Sequence, residues 1–281
     1  MNAVIDIGSN SVRLMLDVNA GVNKKFLNST TLAEKLAVNG RLLPEAISRT
    51  ATAVVDFYRY AKSEGADDVY VFGTEAMRAE GGQDLKALIE SRIPVRVDVV
   101  SGEMEAKLGF VGCAGNSSCA VIDVGGASVE LVCGSGGEIS YAKSLKLGVV
   151  RTRDITGDDR AVIEKFYAEN VTAYDKVVAD TLIGIGGTAT SIASMILEQK
   201  EYDANAIHGF KVRLEDLRRL ENKVFSGIDV LKEFPTLSLK RALVIGHGII
   251  IFRLLTERLG FDGFTVSELD NMEGYLALKT K

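Results

Sequence analysis

The sequence predicts an α/β protein of two domains, each a mixed sheet flanked by helices. The chain has 281 residues, enough for two domains of ordinary size. A device at its head, DIGSNSVRLML (Asp6 to Leu16), returns far downstream as DVGGASVELVC (Asp123 to Cys133). Both read Asp, apolar, Gly, two small residues, Ser, Val, any residue, Leu. After each copy, strand-like runs mix with segments of helical period.

In order along the chain, Val4 to Ile7 and Val12 to Val18 flank the turn GSNS and read as a β-hairpin. Leu42 to Ser63 carries Ala46, Ile47, Ala51, Val54, Val55 and Tyr58 at three-to-four spacing, which predicts a helix. DVYVFG (Asp68 to Gly73) reads as a strand, followed by the polar TEAMRAEGG and a helix from Gln83 to Ser91. Val95 to Val100 is a further strand, and Ser101 caps a helix over Gly102 to Gly112. The pattern restarts with a hairpin at Ala120 to Val124 and Ser128 to Cys133, then a strand in GGEISYAKSLKLG that ends in a loop. Helices are expected over Ala161 to Asp175, after GIGGT, over the amphipathic Arg213 to Phe225, and over the apolar Lys240 to Leu259. The polar break GNSS (Gly115 to Ser118) sets the expected domains at 1–117 and 118–281, with a terminal helix packing back on the first.

Composition narrows the function. Hydrophobic residues are 47% and charged residues 25%, the balance of a soluble globular protein. A net charge of −5 supplies no global basic field to attract DNA or a membrane, so a polyanion must be held by local donors. The longest apolar run, Ala242 to Phe252, contains His247 and is too short to span a bilayer; it reads as a buried helix. The first residues lack the pattern of a signal peptide. Cys113, Cys119 and Cys133 are odd in number and lack CxxC spacing, so they read as reduced thiols of a cytoplasmic protein. The apolar C-terminal helices leave a homodimer open.

A tight turn between strands aims several backbone N–H groups into one concavity, and such nests bind phosphate oxygens. Ser9, Asn10, Ser11 and Ser128 add side-chain donors beside the glycines Gly8, Gly125 and Gly126. An Asp ending the preceding strand repels phosphate but suits Mg²⁺, which bridges to the phosphates. A third glycine turn, GIGGTATSIA, follows the apolar strand TLIGI and opens a helix whose N-terminus favours an anion. VVSGEMEAKLGF offers two acids, Glu103 and Glu105, which lie on nearly opposite helix faces. Spacing alone leaves both as ordinary acids at a helix N-terminus.

These stretches resemble the Ppx/GppA exopolyphosphatase and guanosine pentaphosphate phosphatase family of the actin, sugar kinase and Hsp70 superfamily. The resemblance runs through AVIDIGSNSVRLML, GTEAMRAEGG, VVSGEMEAKLGFVG, VIDVGGASVELV, SLKLGVVRTRD, LIGIGGTATSIA and TVSELDNMEGYL, in the family's order from end to end. It implies two actin-like (ribonuclease H-like) domains facing across a cleft, without the helical extension of longer members. It also implies a hydrolase that releases terminal orthophosphate from inorganic polyphosphate with Mg²⁺. Guanosine pentaphosphate is the alternative substrate, and a non-catalytic nucleotide-binding regulatory protein is an alternative of another class. By resemblance Glu105 is the general base and Arg78 a catalytic arginine on the phosphate. Asp6, Asp123 and Glu130 are the metal or water-positioning acids. Phosphate falls to Gly8, Ser9, Asn10, Ser11, Arg13, Gly125, Gly126, Ala127, Ser128, Gly186, Gly187 and Thr188. Lys143, Lys146, Arg151 and Arg153 could form a basic track for an extended polyanion.

Departures from the family pattern touch the same sites. Ala127 and Val129 replace a glycine and a threonine in the second turn, adding a Cβ and removing a hydroxyl. Met104, Gly82 and Met272 stand where a glutamate, an asparagine and an arginine are usual. They bear on substrate preference and catalytic vigour.

Overall fold

The structure, a computed structural model, describes residues 1–17, 23–114 and 117–280. The first hairpin forms between β1 (Asn2–Ile7) and β2 (Val12–Leu16), and β3 (Lys24–Asn28) pairs antiparallel on β2. The short α1 (Leu36–Asn39) and the long α2 (Pro44–Ser63) lead to β4 (Asp68–Gly73), parallel to β1 on its other side. Pro44 suits the first turn of α2, where its missing N–H costs nothing, and Ala46, Ala51, Val54 and Val55 turn to the core. A 3₁₀ turn at Glu75–Arg78, α3 (Gly82–Glu90) and β5 (Val97–Val99) complete a sheet of order β3-β2-β1-β4-β5. The Ser101 hydroxyl then caps α4 (Gly102–Cys113) by accepting from the Met104 N–H at 3.1 Å.

The second sheet repeats the hairpin with β6 (Cys119–Val124) and β7 (Val129–Ser135), and β8 (Glu138–Leu145) extends it antiparallel. After α5 (Val149–Thr156) and α6 (Arg160–Asn170), β9 (Thr181–Ile185) pairs parallel to β6 and runs straight into α7 (Gly186–Ile196). The remaining helices are α8 (Ala204–Ile207), α9 (Leu214–Val224), α10 (Val230–Glu233), α11 (Leu239–Ala242), α12 (Ile245–Leu259) and α13 (Asn271–Lys279). Strands β10 (Lys211–Arg213) and β11 (Gly263–Val266) close a sheet of order β10-β11-β9-β6-β7-β8. The expected class, two mixed sheets flanked by helices, is the observed one.

Several elements differ from expectation. The short strands β3, β10 and β11 and the helix α5 are not predicted, because few residues carry their period. The Lys240 to Leu259 segment is two helices, since Leu243 and Val244 interrupt α11 and α12. Val18, Gly115 and Asn116, where a strand end and part of the domain break were expected, lie outside the described residues.

Two helices tie the halves together. On α4, Leu108 packs with Val4 and Phe72 of the first sheet, while Ala106 and Phe110 pack with Val121, Val132 and Ile185 of the second. The terminal α13 returns to the first sheet, burying Met272 and Tyr275 against Val4, Met15 and Phe72. The Tyr275 hydroxyl and Lys279 ammonium both donate to the Asp98 carboxylate at 2.6 Å. In α12, Ile245 and Ile249 to Phe252 are buried within the chain, so this apolar helix needs no second copy to cover it. No helix among the described residues is long and apolar enough to cross a membrane.

His247 sits in that buried helix, its Nε2 within 3.1 Å of the Gly157 carbonyl oxygen and 3.3 Å of the Thr156 hydroxyl. Burial disfavours its imidazolium and lowers its pKa to about 4 from 6.5. The folded state therefore refuses a proton that the unfolded chain accepts. Stability from this group is complete above pH 6.5 and is lost as pH falls toward 4, by roughly 3 kcal/mol at most. Urea unfolding at pH 7.5 and pH 5 should show this loss in the wild type and a smaller one in His247→Gln. Equal losses in the two proteins would remove His247 as its source.

Candidate active site

The repeated sequence device is a repeated structure. In the first turn the Gly8 N–H donates to the Ser11 carbonyl at 3.0 Å, and in the second the Gly125 N–H donates to the Ser128 carbonyl, also at 3.0 Å. Each turn is held from behind. The Thr31 and Ala33 N–H groups donate to the carbonyls of Asn10 and Ser9 at 2.8 and 2.9 Å. The Val149, Val150 and Arg151 N–H groups, which open α5 and have no partner within the helix, donate to the carbonyls of Gly125 and Gly126 at 2.8 to 3.0 Å. With their carbonyls engaged outward, the turns leave N–H groups and hydroxyls for the space between them.

The two turns meet face to face. A Cβ on Gly126 would lie 2.9 Å from the Ser9 Cβ and 3.0 Å from the Asn10 backbone nitrogen, so only glycine allows this approach. Between them lies a cavity of about 70 Å³ lined by Asp6, Gly8, Ser9, Asn10, Ser11, Arg13, Glu105, Asp123, Gly125, Gly126, Ser128, Gly186 and Gly187, all expected from sequence. Gly186 enters α7 with φ +77, a left-handed conformation, and a Cβ there would meet the Asp123 carboxylate at 2.5 Å.

Four expected residues stand outside this lining. Thr188 is buried, its hydroxyl donating to the Val124 carbonyl at 2.7 Å. The Ala127 side chain points into the hydrophobic core, as does Val129, so neither departure from the family pattern crowds the cavity or strips a donor from it. Glu130 is paired directly across from Asp123 and shares its sheet face, but it lines a small adjoining space with Glu105 and Asp123 and accepts from the Ser144 hydroxyl at 2.6 Å. Arg78 lies behind Glu105. Its Nη1 donates to Glu105 Oε2 at 3.1 Å and to the Val100 carbonyl at 2.6 Å, and its Nη2 donates to Glu75 at 2.7 Å.

Three of the four residues of the basic string bond to local partners, and Lys146 is exposed. Lys143 donates to the Ala173 carbonyl, Arg151 to the Ala127 carbonyl, and Arg153 pairs with Asp158.

The acids crowd one another. Burial and the charge of Glu130 raise the pKa of Glu105 and of Asp123 well above the carboxylate range, while Arg78 and Arg13 respectively oppose the shift. Burial pushes Glu130 up to about 7, against the hydroxyls of Ser128 and Ser144. Asp6 is also raised, because burial outweighs the Arg13 guanidinium that holds its Oδ2 through Nε at 3.0 Å and Nη2 at 2.6 Å. Asp6 Oδ1 is buried without a hydrogen-bond partner, as are both amide atoms of Asn10. Buried polar atoms without partners, beside carboxylates that resist ionisation together, are what a bound cation and anion would relieve. Among the described residues no three His, Cys, Asp or Glu form a metal cage. Asp6 and Asp123, which line the cavity, are the carboxylates that could hold a cation such as Mg²⁺, an ion that takes one or two carboxylates and completes its shell with water and phosphate.

Residues not expected from sequence complete the lining: Thr74, Val124, Arg241 and Asn271. The Asn271 amide lies 3.4 Å from Asp123 Oδ2, and Arg241 Nη1 donates to the Thr188 hydroxyl at 3.2 Å. Neighbouring Asp270 caps α13, accepting from the Met272 N–H at 2.9 Å, and pairs with Arg13 at 2.5 Å. Burial works to raise the Asp270 pKa, but Arg13 and Lys25 outweigh it and hold the carboxyl below its ordinary range. The capping pattern Asp-x-x-Glu at Asp270 to Glu273 was legible in the sequence, and with it the placement of Asn271 at a helix start. A second chamber of about 280 Å³ adjoins across Arg13, Gly186, Gly187 and Arg241, with Phe26, Leu27, Tyr202 and Leu237 in its wall.

The chain is 29% identical to exopolyphosphatase 2 of Mycobacterium tuberculosis, over 97% of this chain and 96% of that protein. It is 27% identical to a guanosine-5'-triphosphate,3'-diphosphate pyrophosphatase of Aliivibrio fischeri, covering 95% of this chain but 56% of that protein. An exopolyphosphatase-like crystal structure superposes with a TM-score of 0.89 at 25% identity, covering 98% of this chain and 97% of the other. The Ppx/GppA family member of Aquifex aeolicus gives a TM-score of 0.80 at 24% identity, covering 99% and 97%. A model of the Ppx/GppA phosphatase family matches residues 23–280. With that match spanning nearly the whole chain, the protein belongs to the Ppx/GppA phosphatase family.

Proposed function

We propose that the protein hydrolyses terminal phosphates from inorganic polyphosphate in the cytoplasm, with Glu105 as general base toward the attacking water. The observation that carries this reading is the seating of Gly126 against Ser9 and Asn10, with Glu105 lining the cavity between the turns. Backbone N–H groups and the hydroxyls of Ser9, Ser11 and Ser128 would hold the terminal phosphoryl from both sides. Asp6 and Asp123 would hold Mg²⁺, whose role when bound is to neutralise charge on the phosphate oxygens. Glu105, kept in place by Arg78, would take the proton from water; its raised affinity for protons suits a base better than an ordinary surface carboxylate. Free cysteines agree with a reducing compartment. Because Ala127 and Val129 face the core, the case for a grip without turnover loses its motive.

One observation favours a second substrate. The adjoining chamber has aromatic and apolar walls in Phe26, Tyr202 and Leu237, which a bare phosphate chain does not need and a guanosine would use. Orthophosphate release from polyphosphates of several lengths, and from guanosine pentaphosphate, each with Mg²⁺, separates the two. Release from polyphosphate is the expected result; turnover of guanosine pentaphosphate alone selects the second reading, and turnover of neither removes both.

The seating of the turns is itself testable. Gly126→Val should separate them and lower kcat/KM about 100-fold, the scale of an ångström-sized misplacement. A variant with wild-type kcat/KM would show that the two turns do not act together.

A further inference from the structure

Behind Glu105 a chain of alternating charge crosses from one half of the molecule to the other. Arg151 stands in the first turn of α5, where its backbone N–H and those of Val149 and Val150 grip the second phosphate turn, and its Nε donates to the Ala127 carbonyl at 3.1 Å. Its Nη2 faces Glu75 Oε1 at 3.5 Å. Glu75, on the 3₁₀ turn after β4, accepts from Arg78 Nη2 through its other oxygen at 2.7 Å. Arg78 then donates to Glu105. The side chains of Arg151, Glu75, Arg78 and Glu105 are 16%, 14%, 24% and 8% exposed, so solvent screens them less than surface pairs.

The links are not alike. The Glu75–Arg78 and Arg78–Glu105 pairs lie within the first half. The Arg151–Glu75 pair joins the halves, and its length depends on how closely the turn at residues 125–128 seats on the turn at residues 8–11. Glu75 has no contact with the cavity of its own.

We propose that Glu75 is a positioning residue, held by Arg151 across the cleft so that closing of the phosphate turns fixes Arg78 on Glu105. With the turns seated, Arg151 draws one Glu75 oxygen and leaves Arg78 shared between Glu75 and Glu105. With the turns apart, Glu75 keeps both oxygens for Arg78 and pulls that guanidinium from the base. Hydrolysis is thereby restricted to the closed cleft. This inference rests on Glu105 acting as the base.

The test compares wild type, Glu75→Gln, Arg151→Gln, their double variant and Glu75→Asp. Each is measured for steady-state orthophosphate release, thermal midpoint and radius of gyration by small-angle X-ray scattering. Both single Gln variants should lose about 10-fold in kcat with KM little changed, and the double should be no worse than the poorer single. Glu75→Asp should recover part of the loss, and the Gln variants should share one enlarged radius of gyration at near-wild-type thermal midpoints. Losses that multiply in the double variant, or wild-type kcat and dimensions in Glu75→Gln, overturn the proposal. If the wild type itself releases no orthophosphate from either substrate, the proposed hydrolysis fails separately. The scattering comparison then decides alone: equal expansion of both single variants supports the link, and wild-type dimensions overturn it.

Discussion

Glu105→Gln should lower orthophosphate release about 1,000-fold while leaving substrate binding within a few-fold, since general base catalysis contributes on this scale. The substitution keeps side-chain volume and an oxygen able to accept from Arg78 Nη1, so the loss isolates proton transfer. Glu103 provides the comparison, because it is exposed on the outer face of α4 whereas Glu105 is buried at the cavity. Glu103→Gln should retain nearly full activity. The pH dependence follows from the same geometry. A base works deprotonated, and burial with Glu130 nearby raises the proton affinity of Glu105, so activity should rise with pH along an acid limb above the ordinary carboxylate range. Loss in Glu103→Gln with a normal Glu105→Gln enzyme would assign the wrong acid.

Arg241 should matter nearly as much, and in a way that separates function from stability. Its guanidinium lines both chambers, donates to the Thr188 hydroxyl, and has no carboxylate within salt-bridge distance among the described residues. Burial and the nearby Arg13 lower its pKa to about 10, so it stays charged at neutral pH yet unneutralised by the protein. An anionic substrate supplies the missing charge. Arg241→Met should reduce kcat/KM by about 100-fold or more, the range for a lost donor to a developing phosphate charge. Arg241→Lys should recover only part, because an ammonium lacks the planar fork. The Met variant should nonetheless melt at or above the wild-type temperature, because a poorly paired, half-buried charge has been removed. A drop in melting temperature with unchanged kcat/KM would make Arg241 a structural residue.

Much of the site could be read from local pattern. The Asp-apolar-Gly turns are hairpin signals whose period and glycines lie within a dozen residues, and both hairpins form where they were expected. Ser101 is a helix cap with its donor three residues on, and GIGGT marks a strand running into a helix. The opposite faces of Glu103 and Glu105 follow from helix geometry alone. Resemblance to a family then chose between them.

Other features exist only where distant segments meet. Arg241 was hidden inside an apolar segment read as one helix, and the break at Leu243 and Val244 leaves it on the short α11 beside the cavity. Arg78 carries the family's arginine, but its direction is decided by Glu75, Glu105 and the Val100 carbonyl. Ala127 reads as an obstruction in the turn, yet the grip of α5 on Gly125 and Gly126 directs its side chain into the core.

The amino-acid order by itself determined the two matched turns, the acids at their heads and the helix that carries Glu105, because hydrogen bonds between near neighbours set them. Which side chains share one cavity, which guanidinium is left without a carboxylate, and how Arg151 reaches Glu75 were decided only by packing the two sheets across α4 and α13. Those contacts join residues far apart in the chain, and no local period records them.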